Sequence, residues 1–444
     1  HILALLVGLV SGWTSPFLAK LQDPETTESL TLTPDEASWT AALISVTRPL
    51  GAVFAAVVVY RCGARQAVLL NGIPHVLAWT CFLVNESVPS IYASRLLSGL
   101  GLGMFYSTFP LYIGEISDPS IRGALISLIT QGLPIGTLLG NLMGAYVSMS
   151  TFAIVGLVLS VTFCLAFLIF PDSPHHLIKI KKHDEAEEAL RWYTRQDDVK
   201  NELTSLDQFI GQREKLSISQ TFSELTKPLN LKILITVLMV YVFMQLSGLY
   251  SISLYMELIL KSLGVNVIKP SLVVVGVGVI GLLAGLISMY TNDRFGRRTM
   301  LAISSFGVSV NLFLLALNFL LLRMEYNDLQ WLSIVSIVFY QFFVCVGIMP
   351  VPSCLMSEMF APNLKEIGSC LANMISAVFA FIVSKTYQDL LTSTSEEFVF
   401  LLYTAIVFAM FIFTVTCIPE TKGKSLQEIQ DMLSRKDRGK DQKC

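Results

Sequence analysis

The chain has 444 residues, 53% of them hydrophobic and 14% charged, with a formal net charge of −2. A soluble domain carries about 25% charged residues, so a chain with mean hydropathy of +0.63 has too little polar surface to be a soluble globule. The small net charge says nothing about partners.

In chain order, apolar stretches recur at 1–20, 37–60, 67–84, 88–112, 123–147 and 150–170, then at 231–260, 271–291, 299–322, 329–355, 367–390 and 398–417. A span needs roughly 20 apolar residues, because ~30 Å of hydrocarbon is crossed at 1.5 Å per residue. Twelve transmembrane helices are therefore predicted. Helices satisfy their own backbone groups in lipid, and the alternation of a β-barrel is absent. The chain begins at His1 inside an apolar run with no Met, which predicts a natural N-terminus further upstream. Residues 1–20 lack the basic start and small-residue cleavage site of a signal peptide.

Residues 171–230 break the apolar pattern. His183 to Trp192 reads as a helix with its acids at the N-terminal end, where the macrodipole favours them. Asn201 to Lys215 reads as a second amphipathic helix, with Leu203, Leu206, Phe209 and Ile210 on one side. About 60 residues are too few for a separate catalytic core, so short helices packed under the bundle are expected. The divisions predicted are a half over 1–170, a helical linker over 171–230, a half over 231–417 and a tail over 418–444, charged and disordered at its end.

One set of short loops holds Arg61, Arg65, Arg122, Arg294, Arg297, Arg298 and Lys365. The opposite set holds only Lys20, Lys261, Lys269 and Arg323. The basic side is the cytoplasmic one, and both termini are expected there. The eight cysteines include no Cys-x-x-Cys pair and read as small apolar fillers. Asn85-Glu86-Ser87 is a glycosylation sequon on the outer side. Its loop is short enough for the membrane to block the modifying enzyme.

Several marks occur twice. Arg61-Cys62-Gly63-Ala64-Arg65 returns as Arg294-Phe295-Gly296-Arg297-Arg298. Glu115 with Arg122 returns as Glu358 with Lys365, and Pro171-Asp172-Ser173 returns as Pro419-Glu420-Thr421. A repeat of about 240 residues is too long for a solenoid and fits two six-helix halves of a secondary transporter.

With Arg95 to Gly103, Pro110 to Ile116, Gln245-Leu246-Ser247-Gly248 and Pro419 to Gly423, these marks resemble the sugar porter family of the major facilitator superfamily. Gly12 to Pro16 and Ser38-Trp39 look like its insect trehalose transporters. The resemblance implies an all-α membrane protein of two six-helix halves (the major facilitator fold) with a cytoplasmic helical insert. It implies facilitated transport of a sugar, trehalose or a hexose, by alternating access in the cell membrane, without enzymatic activity. A sensor or scaffold that keeps the fold is the alternative. No cofactor, nucleic acid, metal or obligate protein partner is expected; the partners are the sugar and the bilayer.

The resemblance also assigns residues. Gln131 and Gln245 match the family's sugar-binding glutamines, and Asn141 and Tyr250 are further candidates. Thr14 stands where proton-coupled relatives carry Asp, which favours facilitated diffusion. Glu257 is the remaining coupling candidate, with a place facing water at the outer end as the simpler expectation. Met244, Tyr250, Gly281, Cys345 and Ser353 depart from the family's Gln, Asn, Asn, Glu and Trp. A cytoplasmic gate is expected of Arg61, Arg65, Glu115, Arg122, Asp293, Arg294, Arg297, Arg298, Glu358, Lys365 and Glu420, pairing across the two halves. Arg48, Arg95 and Lys385 lie inside spans. Arg95 is expected to be structural, and Arg48 either meets a neighbouring helix or faces an anionic solute. The Gly-x-x-x-Gly runs at 8–12, 136–144 and 281–285 are expected to pack helices inside the bundle.

Overall fold

The computed structural model describes residues 1–424 except 25, 27, 29, 118–121, 197, 212–217, 327, 328 and 361, together with residue 428. All regular structure among the described residues is helical. Eleven segments are long and apolar enough to cross a membrane. Five precede the insert: Ile2–Leu21, Pro34–Cys62, Ala64–Val84, Val88–Ile116 and Met149–Phe167. Six follow it: Pro228–Ser262, Pro270–Phe295, Arg297–Arg323, Gln330–Met359, Ile367–Ser393 and Glu396–Cys417. The twelfth expected span, at 123–147, is two shorter helices, Arg122–Thr130 and Gly132–Tyr146, that meet at Gln131.

Three breaks have a common cause in the sequence. Proline has no N–H and so cannot serve the carbonyl four residues back. Pro16, Pro74 and Pro134 accordingly lie just after the junctions at Trp13, Asn71 and Gln131. In the seventh span the junction is Gly248 at φ +78, a left-handed turn that glycine adopts without steric cost. At the start of the second span Thr33 and Glu36 form a reciprocal cap: each side chain accepts the other's backbone N–H, at 3.3 and 2.9 Å.

The chain folds as two units, His1–Lys215 and Leu216–Cys444. The boundary falls inside the insert. Helices Pro174–Lys179, His183–Thr194 and Lys200–Gly211 belong to the first unit, and Ile218–Leu225 belongs to the second. Leu177, Ile178, Ala186 and Ala189 form a small core in the insert, with Leu203 and Leu206 packed on it. The second amphipathic helix is described over Lys200–Gly211; residues 212–215 and the side chains of Phe209 and Ile210 lie outside the described residues.

Within the first unit, two of the glycine runs are one helix crossing. A Cβ on Gly8 would overlap the Leu133 carbonyl, and one on Gly136 would overlap the Leu5 carbonyl. Further along, Gly12 and Gly140 face each other in the same way. The third run departs from expectation. A Cβ on Gly281 would meet the side chain of Gln341 at 3.1 Å, and one on Gly285 would meet nothing within 4 Å. That run accommodates a side chain rather than a helix.

Candidate functional site

The predicted amides fall at or near helix breaks. Gln131 is the junction residue of the fifth span, and its Oε1 is buried without a hydrogen-bond partner among the described residues. In the second unit Gln245 is 1% exposed, three residues before the Gly248 turn. Its Nε2 donates to Ser376 Oγ at 2.5 Å, and its Oε1 is again buried without a partner. An unserved buried acceptor costs about 1–3 kcal/mol. Two such amides in an apolar bundle are therefore places where a hydroxyl-bearing solute would be stabilised.

The other candidates differ. Thr14 is fully buried and donates to the Val10 carbonyl at 3.5 Å. Asn141 is 8% exposed on the Gly132–Tyr146 helix. Tyr250 is half-buried. Glu257 is 7% exposed, which corrects the expectation that it faces water. Below it in the same unit, Tyr255 stacks on Tyr387 at 4.9 Å, and Tyr403 donates to Ser251 at 3.3 Å.

The intramembrane arginines of the first unit are occupied. Arg95 lies 3.8 Å above the Trp13 ring and donates from Nη1 to the Val10 carbonyl at 3.3 Å, the structural role expected of it. Arg48 sits 5.2 Å from the Tyr106 ring on the neighbouring fourth span, in line with the helix-contact alternative.

The duplicated basic turns share one geometry. Gly63 has φ 88 and ψ 167, and Gly296 has φ 92 and ψ 157. In the second unit the turn is a closed network. Arg297 reaches Asp293 through Nη2 and Glu358 through Nε, both at 2.9 Å. Its backbone N–H donates to Glu420 Oε1 at 3.0 Å, and its Nη1 donates to the Asn292 carbonyl at 3.0 Å. Thr421 donates to Glu358 Oε2, and Lys422 Nζ donates to the Arg294 carbonyl at 2.6 Å. Arg294 turns to the Tyr290 hydroxyl at 2.6 Å, and Arg298 donates to the Val415 carbonyl.

The first unit has a looser version. Arg65 approaches Asp172 at 3.7 Å and donates to the Leu168 carbonyl at 3.0 Å. Ser173 donates to Glu115, as Thr421 does to Glu358. Arg61 and Lys365 are exposed, and the side chain of Arg122 lies outside the described residues. All of these pairings are made inside one unit, and in both units the acid that ends the fourth or tenth span accepts from the chain that follows the sixth or twelfth.

Sequence reasoning missed a latch on the insert. Tyr193 donates to the Pro171 carbonyl at 2.8 Å and lies 3.0 Å from the Tyr112 hydroxyl at the end of the fourth span. Burial, and then the hydrogen bond with Tyr112, push the Tyr193 hydroxyl well above its ordinary value, so it stays a neutral donor. Burial also lowers His176, against a smaller opposing effect of Asp172. Asn85 is exposed at the C-terminal end of Gly72–Val84.

Two independent features now point the same way: in each unit, one buried amide with an unserved acceptor, and a basic turn made twice. The model of one family, described as "Sugar (and other) transporter", matches residues 2–433. The chain belongs to that family. It is similar to the facilitated trehalose transporter Tret1 of Drosophila yakuba, 30% identical over 431 residues, which is 96% of this chain and 50% of the relative. It is 28% identical to Tret1 of Polypedilum vanderplanki, over 96% of this chain and 85% of the relative. The chain thus spans about half the length of the first of these relatives.

Among solved structures it resembles the Escherichia coli xylose transporter XylE in an inward-open conformation, at a TM-score of 0.79 and 19% identity. That likeness covers 97% of this chain and 100% of the other. XylE described as a major facilitator superfamily proton:xylose symporter superposes at 0.71 with 20% identity, over 97% and 98% of the two chains. The fold is that of the major facilitator superfamily, and the chain is a multi-pass membrane protein.

Proposed function

We propose that this protein carries a neutral sugar, trehalose or a hexose, down its gradient by alternating access. The plasma membrane is its place, with both termini cytoplasmic. The observation that carries the reading is the pair of buried amides, Gln131 and Gln245, each with an acceptor oxygen left unserved in a chain of the sugar transporter family. A sugar is neutral and covered in hydroxyls. Each net hydrogen bond contributes about 0.5–1.5 kcal/mol, so several amides suffice for millimolar affinity, near −4 kcal/mol. Thr14, without a titratable group, supports uncoupled transport. The names of the insect relatives support trehalose over a pentose.

The test is counterflow of labelled mono- and disaccharides in proteoliposomes. Saturable exchange of trehalose or a hexose, insensitive to a proton ionophore, is the expected result. Linear, non-saturating flux would mark a channel, and binding without exchange would mark a sensor. Exchange that stops with the ionophore and with Glu257→Gln would replace facilitated diffusion by proton coupling.

A further inference from the structure

Gly281 and Cys345 are two positions of the second half at which the resemblance read from the sequence implies Asn and Glu. The structure shows what fills the space. Gln341 lies one helical turn before Cys345, and its Nε2 donates to Cys345 Sγ at 3.2 Å. The same nitrogen would be 3.1 Å from a Cβ on Gly281, and Cys345 Sγ would be 3.6 Å from it. Gln341 therefore occupies the volume left by the missing side chain of the eighth span. Its Oε1 is buried without a hydrogen-bond partner among the described residues, the same state as the acceptor of Gln245 in that unit.

The backbone that follows Gln341 is specially built. Residues Val344–Ile348 form a turn of π-helix within the tenth span, closed by Met349 N–H donating to the Val344 carbonyl at 3.0 Å. Such wide turns recur at functional sites. Pro350 cannot serve the Val346 carbonyl, and two side chains of the eighth span take that role. Ser288 Oγ donates to it at 3.1 Å and Asn292 Nδ2 at 3.2 Å. From the ninth span Ser304 donates to the Phe343 carbonyl and accepts the Ile348 N–H at 3.1 Å. Three polar side chains on two neighbouring helices thus hold the turn that begins three residues after Gln341. A distortion supported in this way is held in place, and it carries Cys345, the residue to which the Gln341 amide donates.

We propose that Gln341 is a substrate-binding residue of the second half, accepting a hydroxyl of the bound sugar in place of the side chains lost at positions 281 and 345. The inference rests on the sugar-transport reading above, and it assigns the solute class: a hydroxyl donor, without a requirement for charge.

The experiment measures equilibrium binding of labelled trehalose and glucose in detergent beside counterflow, for the parent chain, Gln341→Met, Gln341→Ala, Gly281→Ala and the Gly281→Ala/Gln341→Ala pair. Gln341→Met keeps the volume and removes the acceptor. It is expected to weaken binding about three- to tenfold, the loss of one net hydrogen bond, and to raise the half-saturation of exchange to match. Gly281→Ala crowds the amide, so it is expected to weaken the parent and to have no effect when Gln341 is already Ala. Parent-like affinity in a monodisperse Gln341→Met sample overturns the assignment and leaves the transport reading intact. If Gln341→Met does not fold, additive effects in the Gly281 and Gln341→Ala cycle overturn it instead. A parent chain that binds sugar without moving it overturns the transport reading alone, and one that binds no sugar overturns both.

Discussion

At the scale of single residues, the physics turns on what a side chain meets inside the bundle. Arg95 is held by a ring face and one carbonyl, and a planar guanidinium does both at once where an ammonium does not. Arg95→Lys is expected to cost about 1–2 kcal/mol, seen as a lower melting temperature in detergent. Glycines at positive φ separate strain from space. A Cβ on Gly296, at φ +92, would lie 2.5 Å from the Glu420 carboxylate, whereas one on Gly264, at φ +65, would meet nothing within 4 Å. Alanine at 264 should cost about 1 kcal/mol of backbone strain, and alanine at 296 more, because Glu420 must also leave the Arg297 N–H. His176 gives a pH prediction. Its depressed titration favours the neutral ring in the folded state. Stability from this group is therefore present above about 6.5, the ordinary histidine value, and is lost as pH falls through the lowered one. Melting temperatures measured from pH 7.5 to pH 5 should fall less steeply in His176→Gln than in the parent.

At the scale of elements, the informative features are breaks and the groups that serve them. The turn at Gly296 joins the eighth and ninth spans, and Arg297 ties it to the tenth span and to the segment after the twelfth. Arg297→Lys keeps the charge but cannot reach Asp293 and Glu358 together. The maximal exchange rate should change by at least threefold, roughly the effect of one lost charge-assisted bond, while the half-saturation concentration should stay near the parent's. A change confined to half-saturation would place Arg297 in the binding machinery instead. The Gly-rich crossing of the first and fifth spans was legible in the sequence, because the spacing of four residues puts small side chains on one face. The matching spacing at Gly281 and Gly285 was misleading. Spacing reports a small-residue face and is silent on whether a helix or a single side chain lies against it.

At the scale of the whole molecule, the count of crossings decides which ends share a side. The broken fifth span, Arg122–Thr130 and Gly132–Tyr146, is the expected crossing that is not among the eleven segments long and apolar enough to span. If it crosses, Cys62 and Cys417, both exposed at helix ends, are separated by ten spans and lie on the same side. Single-cysteine chains with only one of these thiols should then be labelled by an impermeant maleimide from the same face of sealed vesicles, and a cysteine placed at Asn85 from the other. Opposite labelling of positions 62 and 417 would mean that the Gln131 break turns the chain back.

The sequence by itself determined the membrane class, the helical fold, the doubled plan and the family. Hydropathy over some twenty residues, loop charge and repeated turns are local properties that survive without knowledge of contacts. It also marked Gln131 and Gln245, since an amide inside an apolar run needs a reason to be there. Only the tertiary structure decided which partners those groups have. Arg65 turns to Asp172, Glu257 is buried rather than wet, and Gln341 fills the space beside a glycine sixty residues earlier in the chain. Each depends on which helices become neighbours, and a hydrogen bond or an ion pair acts over a few ångströms in space, whatever the separation along the chain.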